Sequence, residues 1–191
     1  MPKKLLFVFC LIFNLVRSQD KSVTSENIIQ WQEGCKLDIS DFQKERDIND
    51  SYTFTAYKIE FYPLEVVVDR NDYIQGYKDL TVVAEFHMNE SHFHPDYEAD
   101  LLKFEQLTFD IAELFARKIR KKFEEMKTEK ERRFSAYQYE YNVLLKACRA
   151  YQSEFRKATN SGWESQKEIN TWEAKIHNEL NALQKYSIKP L

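Results

Sequence analysis

The chain has 191 residues, 43% of them apolar and 15% aromatic, which is ample for one hydrophobic core and short for two. Its formal net charge of −3 falls to −6 once the three cations Lys3, Lys4 and Arg17 leave with the N-terminal segment. That balance excludes the basic face a nucleic-acid binder carries, so no nucleic-acid partner is expected.

Lys3 and Lys4 precede an apolar run from Leu5 to Val16, too short to span a bilayer and of the length of a signal-peptide core. The small residues Val16 and Ser18 place cleavage after Ser18. Residues 1–18 thus read as a signal peptide and 19–27 as a polar, flexible lead. No later run could cross a membrane. The mature chain is expected to be exported and soluble, with a single domain over 28–188. Two cysteines remain, Cys35 and Cys148. An exported location permits them to pair, although Cys148 lies on an apolar helical stripe and reads as a small core residue.

Ile28 to Phe42 contains Trp31 and a short alternation, Leu37 and Ile39 against Asp38 and Ser40, which predicts an edge strand. Lys44 to Asp50 is a charged loop. Tyr52 to Phe61 alternates with β-branched and aromatic residues on one side, which predicts a second strand. Pro63 interrupts it, Leu64 to Val68 suggests a short third, and Arg70 to Lys78 is a turn region. Leu80 to Met88 has the cleanest alternation in the chain.

The segment HMNESHFHPDYE holds His87, His92 and His94, followed by Pro95, which suits a first helical turn. The spacing H-x4-H-x-H could ligate a metal, but no carboxylate or cysteine spacing supports it, and surface loop histidines are the plainer reading. The rest is helical. Leu101, Phe104, Leu107/Thr108, Ile111, Phe115 and Ile119 form a buried stripe over Leu101 to Arg120. The cluster Arg117, Lys118, Arg120, Lys121, Lys122, followed by Glu124, Glu125, Glu129 and Glu131, reads as a solvated face. A second stripe runs from Phe134 to Phe155. Thr159-Asn160-Ser161-Gly162 stops that helix, and Ile169, Trp172, Ile176, Leu180 and Leu183 form a third stripe.

The first helix carries more than periodicity. Glu105, Gln106, Phe109, Asp110, Ile111, Ala112, Glu113, Leu114, Ala116, Arg117, Lys118 and Arg120 stand in the order HEQxHFDIAELYARKLR. The chain thereby resembles a bacterial family of predicted secreted zinc proteases, a domain of unknown function with that signature. Lys36 to Phe42 resembles the family's opening KLTWxDFxG, with Ile39 in place of Trp. Phe155 to Gly162 resembles YDxxTxHG, with Ser161 where the family has His, and Gln166 to Trp172 follows as its Q…W segment.

The two histidines of the family's HExxH correspond to Phe104 and Thr108. In HExxH, residues four apart on one helical face grip zinc, and the glutamate between them takes a proton from the bound water. Phe104 has no lone pair and Thr108 only a neutral hydroxyl. With Ser161 in the third ligand's place, Glu105 stands in a zinc site without nitrogen ligands, so no cofactor is expected. Asp110 completes the vestigial set Phe104, Glu105, Thr108, Asp110 and Ser161.

The resemblance implies an α+β fold of the zincin type: a small, mainly antiparallel sheet in the N-terminal half on a long helix, with two more helices behind. It implies that Leu80 to Met88 is the edge strand lining a substrate cleft, and it points to the bacterial periplasm or exterior. Three functions stay open. One is a catalytically inactive protease relative that binds a peptide or protein. Another is a metal-dependent hydrolase with a relocated site using Glu105, Asp110 and some of His87, His92 and His94. The third is a structural envelope protein.

Overall fold

The computed structural model describes residues 23–25, 27–45, 47, 52–94, 99–163 and 166–188. The segments expected to be the signal peptide, most of the lead and the Pro95 helix start, and the last three residues, fall outside them. Four strands, β1 (Val23–Ser25), β2 (Ile28–Gln30), β3 (Tyr57–Tyr62) and β4 (Thr81–His87), form one antiparallel sheet in the order β1-β2-β4-β3. Three helices follow: α1 (Ala99–Thr128), α2 (Phe134–Ala158) and α3 (Gln166–Ala182). The fold is α+β, as the alternation and the three stripes predict.

Several boundaries differ from the sequence reading, each for a local reason. Val23–Ser25, expected to be flexible, pairs with β2 and forms the sheet edge. The alternation at Leu37–Ile39 is not a strand, because Asp38 caps a 3-10 turn over Ile39–Asp41: it accepts from Ser40 N while Asp41 reaches back to Asp38 N. No strand forms over Leu64 to Val68; a single bridge joins Val68 to Ile74. That excursion docks instead on the α1–α2 turn, with Phe134 N donating to Asp72 O and Ile74 N to Arg132 O.

The strand β4 is not an edge. It pairs with β2 on one side and β3 on the other, so it has no free backbone row to offer a substrate. Its Val82, Ala84 and Phe86 are fully buried, and Phe86 meets Phe109 of α1 at 5.8 Å.

Helix α1 lies between the sheet and the other two helices, and from Phe104 to Arg117 every residue is buried. Its apolar stripe is therefore only part of its contact surface. The polar residues between stripe positions are enclosed too, and each must find a partner.

Candidate functional site

Three flanks of α1 hold the residues the sequence singles out. Toward α2, Phe104 is fully buried and its ring stacks on Phe155 at 4.8 Å and 16°. The Thr108 hydroxyl donates to the Phe104 carbonyl (3.1 Å), and Gln152 Nε2 donates to the Thr108 carbonyl (3.3 Å). Gly162, at φ +92, closes this flank: a Cβ there would come within 2.6 Å of Leu101 Cδ2 and 3.0 Å of Phe104 Cγ. Ser161 precedes it with φ +55 and is exposed. The 155–162 segment thus packs on Phe104, but Ser161 does not point into a pocket with it. Zinc does not fit here, because a benzene ring fills the space and the one hydroxyl is committed to the backbone.

Glu105 leaves the helix in another direction, against Thr55 in the segment before β3. It is 1% exposed, and its Oε2 has no hydrogen-bond partner among the described residues. Burial pushes its carboxyl up to about 7, with Thr55 and the more distant Arg156 pulling the other way. A carboxyl in this state stays protonated up to about pH 7, sealed from water.

The three loop histidines are not on the surface. His87, His92 and His94 are 7%, 2% and 8% exposed. His87 ends β4 with Nδ1 3.4 Å from Glu90. His92 bridges Phe54 through backbone bonds, with Nε2 3.1 Å from the Tyr52 carbonyl. His94 N donates to Thr53. The plain surface reading therefore fails, because the 88–94 segment folds back onto residues 52–56. Among the described residues no group of three or more His, Cys, Asp or Glu side chains is gathered closely enough to hold a metal. Cys35 and Cys148 do not pair with each other. Cys148 is buried in α2, 3.9 Å from the Tyr57 hydroxyl, and its thiol is pushed up to about 11 by burial.

The third flank is polar. Asp110, 3% exposed, accepts from Trp31 Nε1 (2.8 Å) and Gln106 Nε2 (3.0 Å), and its second oxygen lies 3.5 Å from His177 Nε2 of α3. Gln106 also accepts from Leu37 N at 2.7 Å. One amide and one carboxylate of α1 thus fix the Trp31–Leu37 segment over the helix.

A turn further on, Glu113 takes Arg117 Nε (2.9 Å) and Arg120 Nη2 (2.5 Å). Arg117 Nη1 donates to Leu180 O and Gln184, while Arg120 donates to Val82 O and Tyr186 O. The expectation of a solvated basic face fails here, since Arg117 is 1% and Arg120 6% exposed. Burial pushes Glu113 up against the pull of both guanidinium groups.

A cleft of ≈ 210 Å³ opens on this flank, lined by Trp31, Glu33, Lys36, Asp110, Arg117 and His177 among others. Hydrogen bonding to Asp110 raises the pKa of His177. Beside the cleft, and sharing Lys36 and Asp110 with it, runs a trough of ≈ 310 Å³ floored by Leu37, Leu102 and Leu107. Trp31, Lys36 and His177 were not among the sequence-derived candidates. Three of the four histidines drew attention by clustering, and the fourth stands alone in α3. The available signal was Asp110 itself, a carboxylate on a helix whose other side is apolar, which requires donors from elsewhere in the chain.

Compared with protein-family models, curated proteins and solved structures, the chain matches none of them.

Proposed function

We propose that this protein is an exported, catalytically inactive relative of the zinc-protease family whose signature it resembles, and that it acts by binding a peptide or protein. The observation that carries this reading is the packing of Phe104 and Thr108. Both positions that would supply HExxH nitrogens face α2 and are closed off by Phe155, Gln152 and Gly162.

The pattern of retention supports it. The signature residues that remain, Gln106, Asp110, Glu113, Arg117 and Arg120, are buried and bonded to other parts of the chain. Phe104 and Thr108 differ where the signature would hold a metal, while Phe115 for Tyr and Ile119 for Leu keep an aromatic and an aliphatic side chain. The segments resembling the family's opening and downstream motifs also meet on this helix, Leu37 at Gln106 and Phe155 at Phe104. The polar cleft and its apolar trough offer the binding surface.

Two titrations test this. Calorimetry of the native protein with zinc should show no stoichiometric site. A tight site lost in a His92→Ala/His94→Ala double variant would instead establish the relocated hydrolase. The double variant Phe104→His/Thr108→His, if folded by circular dichroism, should gain zinc affinity, since both positions share one flank of the helix and Ser161 lies outside it. Folded protein that takes up no zinc would remove the kinship from the argument.

A further inference from the structure

The buried ion cluster beneath the cleft is unbalanced. Glu113 is the single carboxylate for two guanidinium groups, so at least one positive charge in the cluster has no counter-charge. Arg117 carries it toward the cleft. Its Nε and Nη1 are bonded to Glu113, Leu180 O and Gln184, its guanidinium carbon lies 5.1 Å from the Trp31 ring centroid at the cleft wall, and the side chain is 1% exposed. Around it, the acids of the cleft are already engaged. Asp110 holds Trp31, Gln106 and His177, and Glu33 accepts from Gln184 Nε2 at 2.7 Å. The cations are less so. Lys36 forms no ion pair with any described residue, and His177 has only its Nε2 side turned to Asp110, with 41% of its side chain exposed. Asp110 holds the imidazole toward its cationic form, with Glu173 adding to that and Lys36 opposing it. An anion at this point would supply the missing charge and accept hydrogen bonds from groups already fixed in place.

The adjoining trough decides which anion. Its floor is Leu37, Leu102 and Leu107, and its charged rim is closed on itself by Lys103 and Glu173 at 2.7 Å. The trough and the cleft meet at Lys36 and Asp110, so an occupant needs an apolar group and an anionic group on one short unit. The last residue of a peptide carries both on a single Cα. An internal Asp or Glu carries its carboxylate on its own side chain, so the apolar group would have to come from a neighbouring residue.

We propose that the cleft and trough receive the C-terminal residue of a peptide, its carboxylate between Arg117, Lys36 and His177 and its apolar side chain over Leu102 and Leu107. This rests on the binding reading above and names the ligand class for it. The site lies on the flank of α1 away from Phe104 and Thr108, and of the vestigial set it shares only Asp110.

The test is calorimetry of the native protein with an N-acetylated pentapeptide ending in Leu-Leu, as the free acid and as the C-terminal amide, and with hexanoate alone. The free acid should bind roughly tenfold or more tightly than the amide, the ratio expected for a charged hydrogen-bonded contact. Hexanoate should bind more weakly than the free-acid peptide. Lys36→Ala, at an exposed position the core does not depend on, should weaken the free acid about fivefold while the melting curve stays in place. Equal binding of acid and amide would overturn the carboxylate assignment and leave a peptide-binding protein. Hexanoate binding as tightly as the free-acid peptide would overturn the peptide assignment. Binding of none of the three would overturn this site, while the zinc titrations above test the proposed function separately.

Discussion

Toward α2, helix α1 presents Phe104 and Thr108; toward the Trp31–Leu37 segment it presents Gln106, Asp110 and Arg117. Both flanks are buried to a few per cent, yet they end in opposite states. The α2 flank is closed by ring stacking and a glycine that leaves no space for a side chain. The other flank is held by directional bonds to a loop and to α3, and such bonds leave a cleft between the elements they join. Burial by packing removes a site, whereas burial by hydrogen bonding can frame one.

The sharpest way to break this contrast is Glu113→Ala, which would leave two guanidinium groups enclosed without their carboxylate. It should lower stability in urea by about 3–5 kcal/mol. Phe104→Ala on the closed flank should reach a similar ~3–5 kcal/mol through cavity formation, with no change in peptide binding. A loss of peptide affinity in that variant would show that the two flanks are coupled.

Glu105 sharpens the contrast through pH. Its carboxyl is raised to about 7 in the folded chain, above its ordinary value. Below about pH 4.5 it is neutral in both states and imposes no penalty. As pH rises to 7 the unfolded chain releases the proton first, so stability falls, and above 7 the loss is complete at ~3 kcal/mol. Glu105→Gln should therefore stabilise the protein at pH 8 and leave it nearly unchanged at pH 4, read from urea midpoints at the two pH values. Trp31→Phe removes one donor from a buried carboxylate and should cost about 1.5–3 kcal/mol, again by urea unfolding. Smallest of all, Lys36→Ala should alter stability by less than about 0.5 kcal/mol, because its role lies in the cleft and not in the fold.

Periodicity carried the fold where it was long. The stripes from Leu101 to Ile119 and from Phe134 to Phe155, and the alternation of Thr81–His87, correspond to α1, α2 and β4. Short-range chemistry competed elsewhere: Asp38 and Asp41 make a capping box that overrides the apparent strand at Leu37–Ile39. The polar flank was the hardest to read. Glu113, Arg117 and Arg120 have the spacing of an exposed salt-bridged helix face, and only the arrival of Val82 and of residues 180–186 encloses them. His177 was missed for the same reason, since its importance comes from Asp110, 67 positions earlier, and not from any neighbour in sequence.

The two arginines also determine how the end of the chain behaves. Leu180 and Tyr186 offer their carbonyls, and Gln184 its side chain, to guanidinium groups rooted in the middle of the molecule. Residues 180–186 are thus an anchor for the interior and not a dispensable tail. Deleting them would strand two cations inside the protein, and a fusion partner attached directly after Tyr186 would strain the same anchor. Affinity handles therefore belong beyond a spacer at this end.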